Sequence, residues 1–120
     1  MVTVHAAEHW NDSQLDVLEG DMVGVAAAGV WIDGSMPPCD AVGFERWHLA
    51  PFRFRRRCRH ANWFCLIAQV GKDGMPHPVG VSGQFSADRS GRAFLYANDL
   101  WSRYGNNQGA SEVILERTSA

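Results

Sequence analysis

The sequence predicts an all-β fold, a small antiparallel two-sheet sandwich of jelly-roll type, on three grounds. Strand-length stretches recur over 22–28, 65–70, 93–98 and 112–117, bounded by glycine, asparagine or aspartate. Lys72-Asp73-Gly74 stands between two runs of this kind as a hairpin signal. Helical spacing is unconvincing even over 8–18, where Asp12-Ser13 would otherwise serve as a cap. Short strands with turn signals every ten or so residues are the pattern of two packed sheets.

Each strand has its own justification. Met22 to Ala28 is a run of small apolar residues, and 65–70 and 93–98 are apolar runs of strand length. The last stretch, 112–117, is mixed: Val113 and Leu115 alternate with Ile114 and Glu116, so its period of two is not clean.

With 120 residues, 46% hydrophobic and 20% charged, the chain has ordinary globular composition and is expected to form one domain over 1–120. Folding at this length buries roughly two-thirds of the unfolded surface, enough for a single core. No run approaches the roughly 20 apolar residues that cross a bilayer, so membrane insertion is not expected. Met1-Val2-Thr3-Val4-His5 has no basic segment leading into an apolar one. The expectation is synthesis in the cytoplasm without a secretory signal, any export or surface display following a non-classical route. Cys39, Cys58 and Cys65 make no even framework and are expected to be reduced thiols. Cys58, His60 and Cys65 match no standard zinc spacing.

The densest chemistry lies in 98–109, Asn-Asp-Leu-Trp-Ser-Arg-Tyr-Gly-Asn-Asn-Gln-Gly. Asn and Gly are also the commonest turn residues, so a plain turn is one reading. The other is a cation loop. Calcium takes six to eight oxygens at roughly 2.3–2.6 Å from carboxylates, amides and backbone carbonyls. Asp99, Asn106 and Asn107 supply side-chain oxygens, while Gly105 and Gly109 permit the backbone to curl. Neighbouring residues of a strand point to opposite faces, so Asn106 and Asn107 serve one ion only if the extended backbone breaks between them.

The segment resembles the signature of the LecA-type bacterial calcium-dependent galactose-binding lectins. Asn98-Asp99, a short spacer, and Tyr104-Gly105-Asn106-Asn107-Gln108-Gly109 follow that pattern without a gap. Gly20-Asp21 with Val25-Ala26-Ala27-Ala28-Gly29 looks like the family's Gly-Asp strand, and Leu66-Ile67-Ala68-Gln69-Val70-Gly71 like its central strand. The stretch 35–65 matches poorly.

The resemblance implies a galactose-binding sandwich in which calcium is held by the side chains of Asp99, Asn106 and Asn107 and the carbonyls of Arg103 and Asp33. Two vicinal sugar hydroxyls, O3 and O4 of galactose, would complete a seven-oxygen shell. Asp33 stands where the family commonly has tyrosine. Turned inward, its carboxylate would strengthen ion binding and compete for a place the sugar needs; turned outward, the only change is the lost ring. Leu100 resembles the family's apolar sugar contact. Trp101 stands where proline is common, and its indole either stacks on a pyranose or packs into the rim or core. His48 falls near a histidine that bonds the sugar's exocyclic hydroxyl.

The resemblance further implies galactose-containing glycans as partners and a homo-oligomer, dimer or tetramer. Weak single-site affinity would be multiplied by several sites.

A second feature is 51–60, which carries five arginines, Arg53, Arg55, Arg56, Arg57 and Arg59, in a chain of net charge −2. The segment is a solvated or edge-protecting stretch, or a contact for anionic glycans through Arg53, Arg55 and Arg56. A pI near 6.2 makes a nucleic-acid partner unlikely. The alternative function is a calcium-stabilised module that binds anionic glycans or other polyanions through 53–60. Catalysis is not expected: no Gly-x-Ser-x-Gly elbow occurs, and a carboxylate committed to calcium is a poor general acid.

Overall fold

The computed structural model describes residues 1–34, 36–45 and 56–118. Among the described residues nine strands form two antiparallel sheets, as the sequence predicts. They are β1 (Val2–His5), β2 (Asn11–Val17), β3 (Met22–Ala28), β4 (Trp31–Asp33), β5 (Leu66–Val70), β6 (Pro76–Pro78), β7 (Ser82–Ser86), β8 (Gly91–Ala97) and β9 (Asn107–Thr118). One sheet runs β1-β9-β3-β7, with β4 also on β9; the other runs β2-β8-β5-β6. No helix of the described residues is long and apolar enough to cross a membrane.

Alternation places the core between the sheets. Val23 and Val25 of β3 and Val113 of β9 face Leu66, Ala68 and Val70 of β5 and Leu95 of β8. The apolar run of β5 is buried along its whole length because its outer face is covered too. There Ile67 and Tyr96 join Cys58, Ala61, Cys65 and Trp10 in a second cluster. The three cysteines are free thiols. Burial pushes the Cys39 and Cys65 thiols up to about 11, so both stay protonated at neutral pH.

The segment 8–18, whose helical spacing is unconvincing in sequence, contains β2. An irregularity interrupts its pairing: Gln14 sits at φ 64, and its N–H bonds Asp12 Oδ1 at 2.7 Å. The register with β8 shifts between Asp12 and Asp16, and the faces are kept across it: Asn11, Ser13 and Val17 are buried, while Asp12 and Asp16 both reach Arg92 on the outer face. The hairpin signal at Lys72-Asp73-Gly74 is correct, joining β5 to β6.

β9 is the strand that positions the loop. Its first residues pair with β4 (Trp31 opposite Gly109, Asp33 opposite Asn107), its middle with β1, and Glu112 to Thr118 with β3. Gly109 has φ 86, and a Cβ there would lie 2.9 Å from the Val30 carbonyl. Only glycine lets β4 approach so closely.

Candidate cation and ligand loop

After β8 the chain passes through Asn98, Asp99 and Leu100 into a 3-10 helix, Trp101–Asn106, and then directly into β9. The backbone therefore breaks from helical to extended between Asn106 and Asn107. That is the break two adjacent asparagines need if they are to face one point. Asn107 is extended, with φ −85 and ψ 147, and its N–H closes the helix on the Tyr104 carbonyl.

Tyr104 fixes the helix from below. It is fully buried, its hydroxyl donates to the Ala97 carbonyl at 2.5 Å, and it accepts from Arg57 Nη1 at 3.0 Å. Gly105, by contrast, does not supply the expected curl. It is not at positive φ, and a Cβ there would meet open space. The turn comes from the helix-to-strand junction.

Asp99 is 2% exposed. Its Oδ1 accepts from the Leu100 N–H at 2.7 Å and its Oδ2 from Asn107 Nδ2 at 3.1 Å. Burial pushes its carboxyl up to about 6; neighbouring Asp33 adds to the rise, while the two hydrogen bonds and Arg103 oppose it. Asp33, at the end of β4, also has a raised carboxyl pKa, through burial opposed by Arg103. Two partly desolvated carboxylates thus share one locality, which disfavours both charges and would be relieved by a cation.

Asn107 is the sharpest indicator. Its Nδ2 donates to the Ala6 carbonyl at 2.9 Å as well as to Asp99, which fixes the amide's orientation. Its Oδ1 is then left buried with no hydrogen-bond partner. A buried acceptor without a donor is costly, and a hard cation is one group that satisfies it. Asn106 is exposed, and its carbonyl accepts from the Gly34 N–H at 3.1 Å, tying the helix end to β4. Arg103 is exposed one helical turn earlier, on the side of Asn106. Asp33, Asp99, Arg103, Asn106 and Asn107 are therefore gathered at one end of the sandwich. No group of three or more His, Cys, Asp or Glu occurs among the described residues. The donor set is two carboxylates, amides and carbonyls, which suits a hard cation rather than zinc.

Other expected site residues fare differently. Leu100 is half-buried at the loop's start and bridges Arg56. Trp101 is 53% exposed, on the same helical side as Tyr104, with its ring 4.1 Å from that of His9. His48, Arg53 and Arg55 lie outside the described residues. Arg56 is corrected: its side chain is 2% exposed, ion-paired with Glu45, bonded to the Arg59 carbonyl at 2.9 Å and set over Trp63. Packed in this way, it is a structural residue rather than an open contact for anions.

Two residues matter more than their sequence context suggests. Asn98 is fully buried; its Oδ1 accepts from the Cys58 N–H, and its Nδ2 donates to the carbonyls of Cys58, Ala61 and Asn62. It fastens 58–62 to the end of β8, one residue before Asp99. Arg57 donates to the His9 carbonyl at 2.5 Å and its guanidinium lies 3.4 Å from the Tyr96 ring centre. Its own N–H bonds the Asp99 carbonyl. Neither shows a sequence signal beyond membership in the Asn-Asp pair and the arginine run.

Fold and loop together define a two-sheet β-sandwich with an amide- and carboxylate-rich loop at one end. No protein-family model and no curated protein matches the chain. Among solved structures it is similar to the EclA N-terminal domain, a PllA-like lectin. The TM-score is 0.73 at 20% identity, over 97% of this chain and 93% of that one. The likeness establishes the shared sandwich fold, the fold the lectin resemblance implies.

Proposed function

We propose that this chain is a calcium-dependent lectin that binds terminal galactose or galactosides without turnover. The observation that carries the reading is the partnerless Oδ1 of Asn107 beside the buried carboxyl of Asp99, in a loop whose sequence follows the lectin signature. The similarity to a lectin domain supports the same reading.

Calcium would supply a Lewis-acidic centre that accepts two neighbouring sugar hydroxyls in place of water. Asp99, Asn106 and Asn107 would hold it through side-chain oxygens, with the carbonyls of Arg103 and Asp33. The Asp99 carboxylate would supply charge to the ion, and the Asn107 amide, oriented by its bond to the Ala6 carbonyl, already leaves Oδ1 without a competing donor. Asp33 contributes at least proximity of charge, and Leu100 lies at the rim. Since few contacts hold a monosaccharide, strength would come from several sites on a homo-oligomer.

The deciding experiment is the unfolding midpoint in chelator, in calcium, and in calcium with galactose or glucose. A ligand that binds only the folded state raises stability by mass action. A rise with calcium and a further rise with galactose, but not glucose, is expected. A rise with calcium alone would replace the galactose reading with a structural ion, and no response to calcium would reduce the loop to a turn.

A further inference from the structure

Among the described residues only Gln14 and Phe64 are non-glycine residues at positive φ, and Phe64, at φ 63, is fully buried. A bulky side chain rarely adopts this conformation and persists in it only where its surroundings over-determine it. Here they do. The Phe64 N–H donates to the Asn98 carbonyl at 2.8 Å, and its own carbonyl accepts from the indole Nε1–H of Trp31 at 3.1 Å. Its ring meets Trp31 edge-on at 6.2 Å and lies 6.0 Å from Phe44. Gly43 packs so closely against this backbone that a Cβ there would lie 2.9 Å from the Phe64 carbonyl carbon.

The two hydrogen bonds lead to different sheets. Trp31 opens β4, which pairs with β9 and ends at Asp33; Asn98 follows β8 of the other sheet and precedes Asp99. The backbone of one strained residue therefore spans the end of the sandwich at which each sheet contributes one carboxyl. Two further ties join these segments, from the Gly34 N–H to the Asn106 carbonyl and from Asn107 Nδ2 to Asp99. Both are made within the loop itself, whereas the Phe64 bridge uses none of the proposed cation donors.

Resting on the calcium reading above, we propose that Phe64 is a positioning residue of the cation loop: its bonds to Trp31 and Asn98 fix the separation of Asp33 and Asp99, so that both carboxyls stand together before the ion arrives. Two like charges in one partly desolvated place tend to part, and a brace with a single setting opposes that. Donors already held in place lose little freedom when the ion binds, which raises affinity without a new contact. The unfavourable φ of Phe64 is then the cost of a fixed spacing between the two sheets.

Calcium titration calorimetry, with urea unfolding in chelator alongside, tests this on the wild type, Trp31→Phe, Phe64→Gly and Val23→Ala. Trp31→Phe keeps a ring but removes the indole donor, leaving the buried Phe64 carbonyl unpaired. Phe64→Gly accepts φ 63 without strain and removes the ring contacts. Val23→Ala thins the core opposite Arg117, at the other end of β9 from the loop. All three are expected to unfold at lower urea, but only Trp31→Phe and Phe64→Gly should bind calcium more weakly, by about three- to tenfold. Wild-type calcium affinity in either brace variant, or an equal weakening in Val23→Ala, would overturn the positioning role and leave the calcium reading intact. Trp31→Phe, the milder change, decides the matter alone where Phe64→Gly does not fold. Absence of calcium binding by the wild type would overturn both.

Discussion

Two polar segments of this chain look equally functional in sequence, and they differ in how completely the fold satisfies them. In the arginine segment, Arg56 is held by Glu45, the Arg59 carbonyl and Trp63. Arg57 is held by His9, Tyr104 and the Tyr96 ring, which faces the guanidinium at 3.4 Å; its Nη2 is buried without a hydrogen-bond partner, but the cation lies among the rings of Trp10, Tyr96 and Trp101. In the loop after β8, Asp99 keeps its proton to about pH 6, and Asn107 Oδ1 has no partner. Charge density does not separate a scaffold from a site. What separates them is whether anything in the fold answers the unpaired group: aromatic rings surround the Arg57 cation, whereas nothing answers the Asn107 oxygen, a cost a folded chain tolerates mainly where a ligand removes it.

The largest effect expected on the scaffold side is at Asn98. Asn98→Ala removes four hydrogen bonds and strands the buried Cys58 N–H and three carbonyls. A loss of about 3–4 kcal/mol is expected in urea unfolding. A loss below about 1 kcal/mol would show that 58–62 does not depend on this anchor.

On the site side, Asp99 makes the apo protein sensitive to pH in an unusual direction. Its folded carboxyl titrates at about 6 against an ordinary 3.8, so between those values the folded state holds the extra proton. Stability from this group is therefore full below about pH 4 and is lost as pH rises through 6, by about 3 kcal/mol in total. In chelator the midpoint should fall from about pH 5 to 7.5, and calcium should remove the fall. Asp99→Asn should flatten the chelator profile and abolish the calcium response; a fall that persists in this variant would assign it to another group.

Arg57→Met sharpens the contrast. It keeps the aliphatic bulk and removes the bonds to His9 and Tyr104 together with the ring contacts. About 2 kcal/mol of stability should be lost. Calcium should still raise the midpoint, because none of the cation's side-chain donors is touched. Loss of the calcium response with little loss of stability would put Arg57 in the site instead of beneath it.

How much of this was legible follows from where the physics is local. Met22 to Ala28 reads as a strand and is one, because its composition and bounds are local properties. The 65–70 and 93–98 runs are likewise β5 and β8, displaced by a residue or two at their ends. β2 was not legible, because its inward positions include the polar Asn11 and Ser13, satisfied by the carbonyls of Leu95 and Ala93 on β8, so its alternation does not show as apolar against polar. β9 was visible only in part: its first residues are the Asn107-Gln108-Gly109 of the loop, and their extended state is set by pairing with β4. For the loop, donor types and order were readable from Asp99 and the paired asparagines. The orphaned oxygen was not, since it depends on Ala6, one hundred and one residues away, occupying the amide's other end. Burial of Arg56 was hidden for the same reason, because its partner Glu45 stands eleven residues earlier and composition does not reveal the pairing.

The smallest expected effect distinguishes the two glycines to which the sequence gives the same role. Gly109 holds φ 86 with the Val30 carbonyl 2.9 Å from a would-be Cβ, so Gly109→Ala strains the backbone and forces β4 from β9. A loss of at least about 1–2 kcal/mol is expected, together with weaker calcium binding, because Asp33 is carried on β4. Gly105→Ala meets open space within an ordinary helical turn. There alanine has the better propensity, and a gain of up to about 1 kcal/mol with unchanged calcium affinity is expected from thermal melts and titration. If Gly105→Ala instead weakens calcium binding, the loop must change its backbone when the ion enters. The junction between Asn106 and Asn107 would then be only part of what shapes the site.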